Sequence, residues 1–340
     1  MRPIQSVRWS PDLHSVRIID QRLLPTDFVE RDLRSLEDVC DAIRTLAVRG
    51  APVIGICGAM GLVMSLAWRP HTSPSALLKL ARENALSISS TRPTAVNLSW
   101  ALDRVIARAD RTTGEVDAVI AAMWEEATAI LEEDRAMCQR IGEAGVNLLR
   151  EGVRVLTHCN AGALATGGIG TALAPIYVAA SRGQSVCVLA TETRPLLQGS
   201  RLTAWELTRA GIPVTVITDG AAAARMRAGE VDLCIVGADR VVANGDVANK
   251  VGTYALAVLA RHHGIPFYVA MPASTIDPSL ASGDQIPIEE RDPREVSSLG
   301  ERRVVAESAA VGNAAFDVTP AELITAFITD RGLVYPPYAF

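Results

Sequence analysis

The chain has 340 residues, of which 49% are apolar and only 4% aromatic, and it carries a formal net charge of -5. That is enough apolar material for a large core over about two domains, built from Ala, Val, Leu and Ile, a mixture that suits parallel sheets covered by helices. Charges of both signs are interspersed with no long basic run, and no apolar run reaches the roughly 18 residues that span a bilayer, so neither nucleic-acid nor membrane binding is expected.

Residues 7–9, 16–20 and 28–30 are predicted strands, separated by the Pro11-Asp12 and Leu24-Pro25 turn signals. A helix is predicted from Ser35, where Ser35-Leu36-Glu37-Asp38 resembles a capping box with a shorter acid and Val39, Ile43 and Leu46 continue the apolar spacing. Further helices are expected over 54–67, 75–87 and 94–109, and a long, partly irregular one over 116–149, where 125–133 is dense in helix formers. From Gly152 the pattern changes. Apolar runs at 153–156, 186–190, 214–217, 233–236 and 267–270 alternate with helical stretches such as 171–181, 202–210 and 253–262. That alternation predicts an α/β fold: a C-terminal Rossmann-like, doubly wound parallel sheet over 130–340, preceded by a mainly helical domain with a small β-sheet over 1–129.

Each apolar run ends in polar residues. They are Thr157-His158-Cys159-Asn160, Thr191-Glu192-Thr193-Arg194, Thr218-Asp219-Gly220, Gly237-Ala238-Asp239-Arg240 and Pro272-Ala273-Ser274-Thr275. Open α/β sheets bind ligands outside the carboxyl ends of their strands, so these five ends are expected to share one crevice. Ser, Thr and Asp at such positions also serve as ordinary helix caps. Cys159 makes a poor cap, and Asp239 precedes the apolar pair Val241-Val242, so these two point most clearly to chemistry.

The segment 162–170 is rich in small residues and follows a strand, a setting in which backbone amides and a helix start can face an anion. It is neither a P-loop nor a clean dinucleotide fingerprint. Arg49-Gly50-Ala51-Pro52 and Arg92-Pro93-Thr94 each set an arginine beside Gly or Pro at an expected helix start, a geometry that grips phosphate, and Lys250 beside Asn249 is a third basic candidate. His262 and His263 are adjacent on a helix, do not share a face, and read as surface residues. The six cysteines form no CxxC pair and residues 1–10 precede no apolar stretch, which together read as reduced thiols in a cytoplasmic protein without a signal peptide.

Six stretches resemble the methylthioribose-1-phosphate isomerase family: Arg49-Gly50-Ala51-Pro52, residues 91–98, residues 157–162, residues 192–199, Gly237-Ala238-Asp239-Arg240 and residues 249–254. The likeness runs from about residue 20 to residue 320. Regulatory subunits of a eukaryotic translation-initiation exchange factor and ribose-1,5-bisphosphate isomerases share the wider superfamily, so fold alone does not decide function. Ser99, where a larger residue is expected, and Ala314, where proline is expected, depart from the family pattern. The resemblance implies a homodimeric aldose–ketose isomerase that needs no metal or organic cofactor. It also implies catalytic roles for Cys159 and Asp239, with Arg49, Gly50, Ala51, Arg92, Gln198, Asn249 and Lys250 holding the substrate.

Such a substrate carries phosphate on its anomeric oxygen and cannot open without a proton on the ring oxygen. Asp239 is the expected acid, its pKa raised by burial among Ile235, Val236, Val241 and Val242. Cys159 is expected either to take the C2 proton as a thiolate, activated by a helix start within 162–170, or to stabilise a hydride shift.

Overall fold

The computed structural model describes residues 4–93, 95–338 and 340; Thr94, which the sequence places in a basic turn and at a helix start, lies outside the described residues. Two compact units are present. The first comprises residues 1–138 with 163–170, and the second 139–162 with 171–340. The chain therefore passes between units at 138/139, within a helix, and again at 162/163 and 170/171.

The first unit opens with a three-stranded antiparallel sheet, β1 (Val7–Trp9), β2 (Val16–Ile19) and β3 (Glu30–Leu33). The third strand lies beyond the expected 28–30, because register with β2 runs from Ile19↔Glu30 to Val16↔Leu33. Helix α1 (Leu36–Arg44) starts with the expected capping box: Asp38 N–H donates to Ser35 Oγ at 3.1 Å, and Ser35 N–H donates to Asp38 Oδ2 at 3.1 Å. Helix α2 (Ala51–Ala67) starts three residues before its expected beginning, because Gly50 caps it and Pro52 suits the first turn. Every residue from Val53 to Leu66 is buried, so α2 forms the centre of this unit. Helices α3 (Pro74–Ser89) and α4 (Val96–Arg111) pack against it, and α5 (Val116–Gly145) follows.

The second unit holds a seven-stranded sheet. Its strands are β4 (Val153–Thr157), β5 (Val186–Thr191), β6 (Val214–Ile217), β7 (Leu233–Val236), β10 (Phe267–Ala270), β15 (Ala326–Thr329) and β16 (Gly332–Val334). The spatial order is β16-β15-β10-β7-β4-β5-β6, parallel except for β16. From β4 the chain builds outward through β5 to β6, then returns to the other side of β4 and builds outward again from β7. The reversal lies between β4 and β7, which pair at Leu156↔Cys234, and it creates a topological switch point. The doubly wound parallel sheet expected from the sequence is the architecture observed.

A second sheet was not foreseen. Strands β8 (Arg240–Val242), β9 (Val247–Lys250), β11 (Ile276–Asp277) and β14 (Phe316–Thr319) assemble in the order β11-β8-β9-β14, and a two-residue ribbon of β12 (Ser298–Leu299) with β13 (Arg302–Arg303) lies between them in sequence. The helices of this unit are α6 (Ala174–Ser181), α7 (Ala204–Arg209), α8 (Ala222–Arg227), α9 (Thr253–His262) and the short α10 (Arg294–Ser297).

Candidate active site

The carboxyl end of β4 is held on several sides. Cys159 has a φ of 61°, a left-handed conformation that is strained for any residue with a Cβ. Its backbone N–H donates to Thr193 Oγ1 at 2.9 Å, and its carbonyl accepts from Thr203 Oγ1 at 2.6 Å. Thr193 is itself left-handed, with φ 64°, so two of the five described non-glycine residues with positive φ meet here. Strained backbone of this kind persists only where surrounding contacts enforce it, and it concentrates at functional sites. The neighbouring Asn160 is buried and donates through Nδ2 to Thr203 Oγ1 at 3.2 Å and to the Glu206 carboxylate, which also accepts from Tyr177 Oη at 2.8 Å.

Among the cysteines the structure draws a clear division. Cys40, Cys57, Cys138 and Cys234 are buried, and burial pushes the thiols of Cys57 and Cys234 up to about 12. Cys159 and Cys187 are partly exposed. The helix start expected within 162–170 is absent. Residues Ala163–Ala165 form one 3-10 turn, and the next α-helix waits until Ala174. Two of the amides offered for an anion are already used, Gly167 N–H donating to Asp134 Oδ2 at 2.6 Å and Gly170 N–H to Thr166 Oγ1 at 3.0 Å. The small residues of this segment serve close packing within the first unit.

At the end of β5, Asp219 accepts from the backbone N–H groups of Thr193 and Arg194, each at 2.7 Å, which shapes the turn leading to Gln198. A π-helical turn follows at Gly199–Thr203, a distortion often found at functional sites. Gln198 is only 6% exposed, and its Oε1 has no hydrogen-bond partner among the described residues. A buried acceptor of that kind is rare in folded proteins and calls for an explanation.

Past β7 the expectation for Asp239 needs correcting. Ile235, Val236, Val241 and Val242 are all fully buried, but Asp239 is exposed. The chain leaves the sheet after Val236 and re-enters order at β8, so the apolar neighbours point into packed layers while residue 239 stands at the rim. Its backbone N–H donates to the Ala248 carbonyl at 2.9 Å. That bond ties it to β9, which ends in Asn249 and Lys250. Asn249 is buried and donates through Nδ2 to Thr253 Oγ1 at 3.0 Å. Lys250 Nζ donates to the Ala315 carbonyl at 2.8 Å and lies 4.6 Å from the centre of the Phe316 ring. Asp317 Oδ2 accepts from Gly252 N–H at 2.7 Å, and its Oδ1 from Tyr254 N–H at 3.2 Å, at the start of α9. Burial is the main influence on the Asp317 carboxyl, and it moves up from the ordinary aspartate value.

Cys159, Gln198 and Asp239 thus follow strands of the seven-stranded sheet, and Asn249 and Lys250 end β9; all five belong to the second unit. Arg49, Gly50, Ala51 and Arg92 belong to the first. There Gly50 has φ 112°, and a Cβ on it would lie 2.6 Å from the Ala165 backbone, so only glycine fits between Arg49 and the α2 start at Ala51. Arg92 precedes α4 by four residues, and the Ala95 N–H closes a turn on the Arg92 carbonyl at 3.0 Å. His262 is exposed, as expected, and no group of His, Cys, Asp and Glu among the described residues is arranged to hold a metal. No helix among them is long and apolar enough to cross a membrane. Sequence reasoning gave no role to His158, Thr193 or Thr203; the strand-end hydroxyls were visible as a pattern, but their partners lie more than thirty residues away.

The profile of the initiation factor 2 subunit family matches residues 47–336. The chain is 55% identical over 335 residues to a methylthioribose-1-phosphate isomerase of Gemmatimonas aurantiaca, covering 98% of this chain and 95% of the relative. It is 54% identical over 337 residues to a 5-deoxyribose 1-phosphate isomerase of Moorella thermoacetica, covering 99% and 95%. Among solved structures, 5-methylthioribose 1-phosphate isomerase from Pyrococcus horikoshii OT3 superposes with a TM-score of 0.94 at 44% identity, over 99% of this chain and 94% of that one.

Proposed function

The chain belongs to the initiation factor 2 subunit family, and from that premise we propose that it is an aldose–ketose isomerase interconverting 5-methylthio-D-ribose 1-phosphate and 5-methylthio-D-ribulose 1-phosphate in methionine salvage. The observation that carries the reading is the placement of Cys159 and Asp239. They follow β4 and β7, the two strands that flank the switch point of the sheet. A thiol and a carboxyl there supply the two groups that the reaction needs.

Asp239 delivers a proton to the ring oxygen as the C1–O bond breaks, and the sugar opens. A carboxyl keeps its proton near neutral pH only when its charged form is disfavoured. In the free chain Asp239 is exposed, so the bound sugar itself supplies the desolvation. Cys159 then acts at C2, as a thiolate base for proton transfer or as a partner to the polarised intermediate of a hydride shift. Gln198, with its orphan buried Oε1, Asn249 and Lys250 bind substrate. Arg49, Gly50, Ala51 and Arg92 are proposed as further substrate-binding residues, the arginines meeting phosphate through charge-assisted hydrogen bonds. The same proposal includes a cytoplasmic homodimer. Sedimentation of the purified protein tests the assembly, and a monomer at micromolar concentration would overturn that part.

One further substrate has a specific observation in its favour, since the Moorella relative is named for 5-deoxyribose 1-phosphate. The deciding experiment is an NMR assay of the purified protein with the methylthio sugar, the 5-deoxy sugar and ribose 1,5-bisphosphate in turn. The highest kcat/KM is expected for the methylthio substrate. A preference for the 5-deoxy sugar would hand the function to the second reading, and no turnover of any of the three would overturn both.

A further inference from the structure

His158 stands beside Cys159 but has no part in the proposed chemistry, although the fold has gone to some length to fix its ring. It is 2% exposed. Nδ1 lies 2.6 Å from Thr191 Oγ1 at the end of β5, and Nε2 lies 2.9 Å from the carbonyl oxygen of Val251, in the turn from β9 to α9. On the same turn a Cβ at Gly252 would come within 3.0 Å of the ring, and that glycine has φ 107°. Three chain segments, drawn from β4, β5 and the β9–α9 turn, therefore meet on one imidazole.

The partners assign its hydrogens. A carbonyl oxygen only accepts, so Nε2 carries the proton and donates to Val251. Nδ1 of a neutral ring is then an acceptor, and the Thr191 hydroxyl donates to it. Burial favours the same neutral form by holding the imidazole below its ordinary value. A cationic ring would have to donate from Nδ1 as well.

What the ring ties together is chemically informative. Cys159 is the next residue in the turn after β4, locked at φ 61°. Val251 is the next residue after Asn249 and Lys250 on the other side. Thr253 Oγ1 donates to the Lys250 carbonyl at 2.7 Å and accepts from Asn249 Nδ2, so the Val251 turn, the Lys250 backbone and the Asn249 amide are set together. The ring lies buried between the end of β4 and this turn.

The geometry points to His158 as a positioning residue: its imidazole, bonded to Thr191 and Val251, fixes the distance between Cys159 and the Asn249–Lys250 pair. The inference rests on the roles proposed above for those three residues. Displacing reacting groups by about 1 Å costs up to roughly a hundredfold in rate, which is the scale at stake.

The test uses His158→Ala, His158→Gln and Thr191→Val in the full chain, each first compared with the parent by circular dichroism and Tm. Kcat and KM are measured with the methylthio sugar, and affinity for inorganic phosphate is measured by calorimetry, independently of turnover. His158→Ala is expected to lose roughly 10–100-fold in kcat/KM, in both kcat and KM, and to bind phosphate more weakly. His158→Gln keeps a side-chain donor for the Val251 carbonyl and is expected to recover a large part of both losses. Thr191→Val keeps the Val251 bond and is expected to fall nearer the parent. A folded His158→Ala with parent-like kinetics and phosphate affinity overturns the inference, and so does a His158→Gln no better than His158→Ala. If His158→Ala fails to fold, His158→Leu, which fills the space but loses both ring bonds, takes its place, and parent-like kinetics and phosphate affinity in that variant overturn the inference. A parent inactive on every sugar phosphate removes the proposed function instead, and the inference then stands or falls on whether phosphate affinity changes in the variants.

Discussion

The ends of β4 and β7 flank the same switch point, yet they are made differently. After β4 the chain turns through a left-handed Cys159 whose N–H and carbonyl are both claimed by threonines, beside a buried histidine bonded at both nitrogens. After β7 the residues Gly237-Ala238-Asp239 carry no positive φ, and Asp239 is exposed at the rim. The difference follows from what each group is proposed to do. A thiol that must meet C2 gains from being placed before substrate arrives, and placement of this kind has an intrinsic cost of order 1–3 kcal/mol in backbone strain. A carboxyl that must hold a proton needs its charged form disfavoured, and at an exposed position a covering substrate does this by excluding water.

The largest expected effects test whether both ends act at all. Asp239→Asn should keep the fold and still bind substrate, but turnover should fall by about 10²–10⁴-fold, the range for a lost general acid. Near-normal kcat in that variant would remove Asp239 from the mechanism. Cys159→Ser should be similarly impaired, since a serine hydroxyl is far less acidic than a thiol. A thiol reagent should inactivate the parent with protection by substrate, and a Cys187→Ala variant should be inactivated just as fast, because Cys187 is the other partly exposed thiol. A run in deuterated water separates the two routes for Cys159, with solvent deuterium at C1 marking proton transfer.

The chain leaving β4 is pinned a second time, and this predicts a pH dependence of stability. Asp134, buried on α5, accepts from Gly167 N–H, and burial raises its carboxyl to about 6 from an ordinary 3.8. The folded state therefore holds that proton more tightly than the unfolded state does, so the contribution favours folding below about pH 4 and is lost as pH rises to about 6. The gap corresponds to at most roughly 3 kcal/mol. Urea titrations of the parent and Asp134→Asn between pH 4 and 8 should diverge in slope only within that window. Parallel curves would mean that Asp134 is not titrating there.

A smaller effect is expected at the anion-binding residues. Arg92→Ala and Lys250→Ala should each weaken substrate and inorganic phosphate by about tenfold, the usual worth of one charged hydrogen bond. If calorimetry showed phosphate affinity unchanged in both, the anion would be held elsewhere.

How much of this was legible in the sequence depends on how local each interaction is. The Ser35–Asp38 capping box spans three residues and was readable as it stands. Five of the six parallel strands showed as mainly apolar runs; β7 and β10 are buried throughout, whereas β6, at the edge of the sheet, leaves Thr215 and Val216 exposed. The β11-β8-β9-β14 sheet was hidden: β9 pairs with β14 across more than sixty residues, as at Asn249↔Asp317, and its strands are short and polar in part. The exposure of Asp239 was hidden for a related reason. Flanking apolar residues describe where their own side chains go, and residue 239 lies in the gap between two strands that belong to different sheets. Likewise Thr193 could be seen as a strand-end hydroxyl, but neither it nor Thr203, in the π-helical turn, could be seen as a partner of the Cys159 backbone.

The smallest effect discriminates best between the two strand ends, because it predicts a reversal of sign. A left-handed conformation costs an L-residue about 1–2 kcal/mol, while glycine adopts it freely but loses roughly 0.5–1 kcal/mol more backbone entropy on folding than alanine does. At Cys159, with φ 61°, the first quantity exceeds the second, so Cys159→Gly should be more stable than Cys159→Ala by up to about 1 kcal/mol. At Asp239, where φ is not positive, only the entropy remains, so Asp239→Gly should be less stable than Asp239→Ala. For a chain of this size 1 kcal/mol moves Tm by only about 2–4 °C, so calorimetry on all four variants under one condition is the appropriate measurement. All four would be inactive under the proposed mechanism, so none of the stability change can be ascribed to retained function. Should alanine prove the more stable choice at both positions, Cys159 would carry no backbone strain, and the proposed pre-placement of the thiol would lose its energetic basis. Should the sign reverse as expected, the strain at β4 is a cost that the fold sustains for the thiol's position, since a glycine there would hold the same turn more cheaply.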